Sequence, residues 1–313
     1  MKRHLFLLSQ EHPGLARAEC EALHPGAEWE PYGKHLLGTV EKPSQRAAYT
    51  KRALEVLHQG GADERWPAPP ETEGTVKVEV LSLDGEGLRK GEARKRVLDW
   101  LGQPRVSLDD PDETFWLVTS EKDILVCKQA WENEEDFEAR KNQRRPAPHP
   151  TSLPPKLARA MVNLAGPVNH VLDPFCGSGG LLLEASLIGL DATGIDVDDA
   201  MLARAKKNLE AYGAEARLVH GDALEHEGGT GCVVTDLPYG RNSKAEELRP
   251  LYEGFLKHYG ELTERMVVGF PDLVDGEALA QENGWDVKQS FRWPLHKSLS
   301  KTITILHRRS SDA

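Results

Sequence analysis

The stretch Asp236-Leu237-Pro238-Tyr239 places a carboxylate, backbone carbonyls and an aromatic ring directly after a short apolar run. This combination suits chemistry on an aromatic amine, whose nitrogen lone pair is delocalised into the ring. A carboxylate and a carbonyl that accept the two N–H groups localise that pair and absorb developing positive charge. The predicted acceptors are Asp236 and the Leu237 carbonyl, and Tyr239 is predicted to stack on the base, a contact that contributes about 1–3 kcal/mol. A plain turn with a buried tyrosine is the alternative interpretation.

A second candidate segment, Asp173-Pro174-Phe175-Cys176-Gly177-Ser178-Gly179-Gly180, lies between a predicted strand and a predicted helix. Its glycines permit a tight turn and let the backbone pass close to a ligand. The spacing differs from GxGxxG, and the acidic residue favours a ligand with an ammonium group over one with a pyrophosphate. S-adenosylmethionine carries such a group, and a generic strand-to-helix turn is the alternative. The residues predicted to bind this cofactor are Asp173, Phe175, Gly177 and Gly179.

Two further predicted strands also end in acidic residues. Asp196 lies 23 residues after Asp173, and an acidic residue at about this offset can hold the hydroxyls of a ribose. Asp222 follows the next strand and is predicted to accept a hydrogen bond from the adenine amine, with Ala223 beside the ring. A turn would explain Gly-Asp-Ala equally well. Asp198 is predicted to cap a helix rather than bind a ligand.

The elements around these segments alternate between strands and helices from Val171 to His307. Strands separated by helices of this length predict a largely parallel sheet that is covered on both faces, with ligands at the carboxyl ends of the strands. The predicted fold class of residues 151–313 is therefore α/β. Each of the four candidate segments follows a strand, so such a sheet would place them at one edge.

The preceding half of the chain has a different pattern. Residues 1–131 are predicted to be α+β, and no catalytic set of residues is visible there. Helices are predicted at Pro13–Leu23 and Ser44–His58. Residues 132–150 are charged and then rich in proline, which favours an extended backbone, so they are predicted to be a linker. The Thr151-Ser152 pair is predicted to cap the helix that follows.

Net charge bears on the choice of partner. The formal charge of −11 argues against a nucleic acid, because phosphate contacts need lysine and arginine, but the distribution of charge matters more than its total. One basic group lies at 140–145, and between Val287 and Ser311 six basic residues occur with no acidic one. Ordinary solvated surface is the alternative interpretation of each group. The residues predicted to contact RNA are Arg140, Arg144, Arg145, Lys297 and Lys301.

The cysteines and the apolar runs indicate the compartment. None of the four cysteines forms a CxxC pair, so the sequence predicts neither a metal site nor a disulfide framework and favours a reducing, cytoplasmic setting. No stretch approaches the roughly 20 apolar residues that span a bilayer, so no membrane partner is expected.

In their order, the segments DPFCGSGG, GIDVD, GDA and DLPYG resemble the Rossmann-like S-adenosylmethionine-dependent methyltransferases. The last is similar to the [DNS]PPY signature of amino-methyltransferases. More narrowly, the chain resembles the archaeal and eukaryotic tRNA guanine-10 N2-methyltransferases, which carry an RNA-binding THUMP domain before the catalytic domain. The local matches are Phe137-Glu138-Ala139-Arg140, His149-Pro150, Leu157-Ala158-Arg159, Asn163-Leu164, the tail from His296 to Lys301 and, less specifically, His12-Pro13-Gly14-Leu15-Ala16.

This resemblance implies a ferredoxin-like module and a THUMP domain in residues 1–131, followed by the linker and a Rossmann-like class I methyltransferase domain. It implies tRNA as the partner, and some relatives also require a small activating subunit. Proline usually stands where this chain has Leu237, which predicts a less rigid loop, and arginines are expected at Lys297 and Lys301. Two alternatives stay open: methylation of another base amine, such as a different guanine N2 or adenine N6, and a non-catalytic RNA-binding scaffold.

Overall fold

The computed structural model describes residues 1–61, 63–84, 89–228, 231–239, 245–296 and 299–309. The chain divides into two compact units. The first comprises Met1–Gln45 and Tyr49–Glu134, and the second comprises Arg46–Ala48 and Glu135–Ala313. Among the described residues, no helix is both long enough and apolar enough to cross a bilayer.

The first unit is built on an eight-stranded sheet. Its elements are β1 (Lys2–Leu8), α1 (Pro13–Leu23), β2 (Trp29–Tyr32), β3 (His35–Val40), β4 (Thr50–Gly60), β5 (Thr75–Ser82), α2 (Lys90–Trp100), β6 (Arg105–Val106), β7 (Glu113–Thr119) and β8 (Ile124–Glu132). The strand order is β2-β3-β1-β4-β8-β7-β5-β6. Neighbouring strands are antiparallel, except that β5 runs parallel to both β6 and β7.

Both faces of this sheet are buried. Along β7, Phe115 and Leu117 belong to the core under α2, while Trp116 and Val118 belong to the core on the opposite face. The predicted helix Ser44–His58 is wrong, because β4 occupies most of it and pairs with both β1 and β8. The hydrogen bonds of a central strand outweigh local helix propensity.

The second unit carries all four candidate segments. Its elements are α3 (Pro155–Leu164), β9 (His170–Asp173), α4 (Gly180–Leu187), β10 (Asp191–Asp196), α5 (Asp199–Ala211), β11 (Arg217–His220), β12 (Val233–Asp236), α6 (Ala245–Gly260), β13 (Arg265–Pro271), α7 (Gly276–Glu282), β14 (Trp285–His296) and β15 (Leu299–Arg308). The strand order is β11-β10-β9-β12-β13-β15-β14. Strands β9 to β13 are parallel and β15 is antiparallel to β13. The strand order reverses between β9 and β12, and ligands of such sheets bind in the crevice at this point.

The predicted linker is for the most part packed on the second unit. The backbone N–H of Ala147 donates to Asn208 Oδ1 at 3.0 Å, and Asn208 Nδ2 donates to the Ala147 carbonyl at 3.1 Å. The Tyr212 hydroxyl donates to the Ala139 carbonyl at 3.0 Å. Residues from Glu135 onward are therefore held by α5 and do not form a free connection.

A buried ion cluster ties this segment to α3 and α4. Glu184 is fully buried, and its carboxylate lies 2.9 Å from Arg140 Nε and 2.9 Å from Arg159 Nη2. Arg140 also pairs with Glu135 at 2.8 Å. The Phe137 ring lies against both guanidinium groups, with its centroid 5.0 Å from Arg140 Cζ and 5.7 Å from Arg159 Cζ. Two carboxylates thus face two guanidinium groups, and the Arg159–Glu184 pair at the centre is fully buried.

Glu184→Gln should therefore destabilise the chain strongly. The neutral amide leaves the buried Arg159 with only the more distant carboxylate of Glu135 at 3.9 Å, and breaking a buried pair costs about 3–5 kcal/mol. The free energy of unfolding from urea titrations measures the effect. Glu138→Gln is the matched control, because Glu138 pairs with Lys141 on the surface, where such pairs contribute about 0–1 kcal/mol. Equal losses in the two variants would show that the cluster adds nothing to stability.

Candidate active site

A cavity of about 500 Å³ opens at the carboxyl ends of the parallel strands. The chain segments that follow β9, β10, β11 and β12 all contribute to its wall, so the sheet brings the four candidate segments together. The predicted site residues on the wall are Asp173, Phe175, Gly177, Asp196, Asp222, Ala223, Asp236, Leu237, Pro238 and Tyr239.

Gly179 is the predicted cofactor residue that does not line this cavity. Its φ is +80°, and a Cβ at this position would lie 3.0 Å from the Cβ of Ala205. The glycine therefore lets α4 begin close against α5, and its contribution is to helix packing. Gly177, with φ +51° and open space where a Cβ would lie, does line the cavity.

Asp173 is buried on the cavity wall without a cationic partner among the described residues. The Thr235 hydroxyl donates to its Oδ1 at 2.6 Å and the Phe175 backbone N–H donates to the same oxygen at 3.2 Å. Burial raises the pKa of Asp173 to about 7; the two hydrogen bonds oppose this rise, and the nearby charges of Asp236 and Asp196 add to it. A buried carboxyl of this kind fits a ligand that brings its own ammonium group.

The other acidic residues organise the turns at the cavity. Asp196 accepts from the backbone N–H of Gly177 at 2.8 Å and from that of Asp198 at 2.9 Å, which ties the glycine turn to the end of β10. Asp198 accepts from Ala200 N–H at 2.8 Å, so the predicted helix cap is confirmed. Asp222 accepts from Leu224 N–H at 2.9 Å. Each of these carboxylates fixes backbone next to the cavity.

The carboxylate of Asp236 is held from one side by a buried lysine. Lys301 Nζ donates to Asp236 Oδ2, while Oδ1 is buried and has no hydrogen-bond partner within the part of the chain that the structure describes. Burial raises the pKa of Asp236, and the charge and hydrogen bond of Lys301 oppose the rise. The same ammonium lies 4.8 Å from the centroid of the Tyr239 ring. The acceptor carboxylate and the aromatic ring therefore share one cation.

The loop after Asp236 is anchored at two further points. The backbone N–H of Leu237 donates to the Gly269 carbonyl at 3.0 Å, and the Leu237 side chain is buried in the core of the second unit. The Tyr252 hydroxyl donates to the Pro238 carbonyl at 2.8 Å. A proline at position 237 would lack the donor N–H. The expected loss of rigidity at Leu237 is therefore offset by a hydrogen bond that a proline could not make.

The residues predicted to contact RNA are placed differently from one another. Arg140 pairs with Glu184, Arg145 is buried with its Nε donating to the Arg140 carbonyl at 2.9 Å, and Lys301 is buried against Asp236. These three are engaged inside the unit and are not surface contacts for phosphate, which corrects their predicted role. Arg144 is exposed, and its role stays a prediction. Lys297 lies outside the described residues.

Basic side chains between Val287 and Ser311 also have acidic partners that lie outside this segment of the sequence. Four exposed basic side chains of this segment lie within 4 Å of an acidic side chain. Their acidic partners are Asp272, Glu264 and Asp286, and Asp286 pairs with two of them. The pairs are Lys288–Asp286, Arg292–Asp272, Arg308–Glu264 and Arg309–Asp286. This pairing favours the interpretation as ordinary solvated surface.

Sequence reasoning missed a stretch of the cavity wall. His149, Thr151 and Ser152 line the cavity, with His149 Nδ1 2.9 Å from Thr151 Oγ1 and Ser152 Oγ 2.7 Å from Ser178 Oγ. Ser152 was expected to cap α3, which instead begins at Pro155 without a side-chain cap. The hydroxyls next to the His149-Pro150 match were the available signal for a role at the cavity.

Known proteins are similar to this chain over its whole length. Two curated relatives are named tRNA (guanine(10)-N2)-dimethyltransferase. The one from Pyrococcus abyssi is 37% identical over 213 residues, covering 66% of this chain and 65% of that protein, slightly less than two thirds of its length. The one from Methanothermobacter thermautotrophicus is 28% identical over 334 residues, covering 97% of this chain and 99% of that protein.

The fold has solved counterparts as well. The crystal structure of TrmN from Thermus thermophilus matches 98% of this chain and 99% of its own with a TM-score of 0.53 and 20% sequence identity. The predicted α/β, Rossmann-like fold is therefore confirmed. Residues 75–207 match a family described as DNA methylase. Residues 142–301, about half of the chain, match the methyltransferase domain described as RMKL-like, and the chain belongs to that family.

Proposed function

We propose that this chain transfers methyl groups from S-adenosylmethionine to the exocyclic N2 amine of guanosine 10 in tRNA. The observation that carries the proposal is the Asp236 loop, where a buried carboxylate with an unpartnered oxygen and an aromatic ring line the same cavity as the candidate cofactor residues. The name that the curated relatives carry supports guanine as the base and tRNA as the substrate.

The cavity wall fits the cofactor in its chemistry. Asp173 would accept the ammonium group of the amino-acid tail, Asp196 the ribose hydroxyls and Asp222 the adenine amine, with Phe175 and Ala223 as apolar wall. When bound, S-adenosylmethionine supplies an electrophilic methyl group, and its sulfur takes the electron pair of the broken bond. The buried carboxyl of Asp173, which has no cationic partner among the described residues, is the part of the wall that most specifically favours a ligand with an ammonium group.

The Asp236 loop would prepare the substrate nitrogen. The Asp236 carboxylate and the Leu237 carbonyl would accept the two N–H groups and draw the nitrogen lone pair out of conjugation with the guanine ring. As the new N–C bond forms, the nitrogen becomes more acidic, and Asp236 is the group placed to receive the proton before it passes to solvent. Tyr239 would stack on the base with the face of its ring that Lys301 does not cover.

Dimethylation is the product that we infer. After one transfer the nitrogen keeps a single N–H, and one acceptor is then enough to orient it for a second attack. The word dimethyltransferase in the names of the relatives supports this inference.

The first unit would bind the RNA. We infer that residues 1–131 correspond to the ferredoxin-like and THUMP regions and that the methyltransferase domain proper covers residues 151–313, with Arg144 as a surface contact for phosphate. Four free, buried cysteines are compatible with the reducing cytoplasm. A small activating subunit remains a candidate partner, and an assay of the purified chain alone decides whether one is needed.

A labelled-methyl assay on unmodified tRNA transcripts tests the proposal. The purified chain should label wild-type transcript, and nucleoside mass spectrometry should detect dimethylguanosine. A transcript with adenosine at position 10 and a compensating change in its pairing partner should lose the label. Undiminished labelling of that transcript would assign the activity to another base amine. Cofactor binding by calorimetry without any transfer would favour the scaffold.

A further inference from the structure

We propose that Lys301 is a positioning residue for methyl transfer: its ammonium group fixes the carboxylate of Asp236 and supplies the counter-charge with which that carboxylate accepts the substrate amine. This inference rests on the proposed function and deepens it. The two residues are 65 positions apart in sequence, so no motif spacing joins them.

The sheet brings Lys301 to Asp236 across an intervening strand. Strand β13 lies between β12 and β15, and in the register Asp236 faces Gly269. A Cβ on Gly269 would lie 2.6 Å from Asp236 Oδ1, so the glycine leaves room for the carboxylate. From β15, Lys301 reaches Oδ2 of that carboxylate and lies 4.8 Å from the Tyr239 ring centroid.

Because both side chains of the pair are largely buried, Lys301 differs from a lysine that contacts phosphate at the surface. The side chain of Lys301 is 1% exposed and that of Asp236 is 16% exposed. Removing an ammonium group from water is costly unless a partner compensates it. Within the described part of the chain, the partner is Asp236, at the centre of the candidate active site. Lys301 can therefore act on the reaction as well as on the stability of the fold.

The charges around Asp236 explain why a cation is needed there. Besides Lys301 on β15, the titratable groups that face it are Asp173 at the end of β9, Tyr239 in the same loop and Tyr252 on α6. All three are acids, so none of them favours an ionised Asp236. Burial raises the pKa of Asp236, and Lys301 is the group that opposes the rise. Removal of the lysine would raise the pKa of Asp236 further and favour the protonated form, which is not a charged acceptor.

The pH profile of Lys301→Met tests the proposal. At saturating S-adenosylmethionine, which occupies the site at Asp173, kcat should fall about 10–100-fold at pH 7 and recover as the pH is raised. A tenfold loss at pH 7 means that about one Asp236 carboxyl in ten is ionised there. Lys301→Arg, which keeps the charge, should keep the wild-type profile. The KM for tRNA and the Kd for the cofactor should stay within about threefold.

Lys288→Met is the matched control, because Lys288 lies on the neighbouring strand β14, is half exposed and pairs with Asp286; its profile should equal that of the wild type. Two results for Lys301→Met would overturn the proposal: a kcat within twofold of wild type at every pH, or a loss of the same size at every pH. Should that variant not fold, Lys301→Gln replaces it with the same expectations.

The same lysine variant in an Asp236→Asn background separates positioning from RNA binding. An amide has no charge to hold, so adding Lys301→Met to Asp236→Asn should change kcat by less than about threefold and without pH dependence. The double variant buries no lone charge. A raised KM for tRNA in both backgrounds would make Lys301 an RNA contact and sink the proposal. These assays use whichever RNA the wild-type chain methylates, so an error in the proposed target nucleotide does not alter their outcome.

Discussion

Asp236→Ala should lower kcat for methyl transfer by about 10²–10⁴-fold, the range expected when a group that takes up a proton or stabilises developing charge is removed. The loss should fall on kcat, because the interaction with the amine strengthens as charge develops on nitrogen. The Kd for S-adenosylmethionine should change by less than about threefold. Asp236→Asn should lose less, since its amide oxygen still accepts an N–H.

Single-turnover rates with saturating tRNA, together with calorimetric titration of the cofactor, measure these two quantities separately. Asp191→Ala serves as the control, because Asp191 is an exposed carboxylate at the opposite end of the same sheet, where β10 begins. A parallel loss of rate and of cofactor affinity in Asp236→Ala would move Asp236 into the cofactor site. An unchanged rate would remove the loop from the reaction altogether.

The second large effect is expected at Asp173, where Asp173→Asn should weaken cofactor binding by about 10–100-fold. A hydrogen bond to a charged group contributes about 1.5–3 kcal/mol, and the amide forfeits the charge while keeping the shape. For the wild type, the affinity should increase between pH 6 and pH 8, because the carboxyl, with a pKa of about 7, ionises over this interval and only then attracts an ammonium group. The variant should show no such dependence when titrated by calorimetry.

Asp173→Asn should also stabilise the ligand-free chain above pH 7. The pKa of Asp173 is 3.8 in the reference state and about 7 when folded, so the folded chain keeps a proton that the unfolded chain has lost. The free energy of unfolding of the wild type therefore falls as the pH rises from 4 to 7, by up to about 4 kcal/mol from this group. Urea titrations at pH 5 and pH 8 measure the free energy of unfolding of both proteins. If the stability of Asp173→Asn relative to the wild type were lower at pH 8 than at pH 5, the raised pKa of Asp173 would be contradicted.

Most residues of the cavity wall that were predicted from the sequence could be placed because of parallel β-sheet geometry. In such a sheet every strand ends at the same edge, so Asp173, Asp196, Asp222 and Asp236 needed only their positions after four apolar runs to be placed on one wall. Helix α1 was equally accessible, since local proline and apolar spacing specify it. Strand β4, where a helix was predicted, was not, because its residues pair with distant strands that no local pattern reveals.

Charged residues mark the limit of this kind of prediction. Arg140, Arg145 and Lys301 look like surface residues in sequence because lysine and arginine are usually exposed. Whether such a side chain meets solvent or a buried carboxylate depends on partners that lie far away along the chain, as Glu184 does for Arg140. Gly179 is similar, since its need for space arises from Ala205 on another helix.

By itself, then, the sequence determined the α/β class, the position of the cavity at the strand ends and the residues on which the proposed chemistry rests, because these follow from local patterns and one rule of sheet topology. Only the tertiary structure decided which oxygen of Asp236 is held and by what. That pairing joins β12 to β15 across a glycine in β13, and a contact between residues 65 positions apart leaves no periodic trace in the sequence.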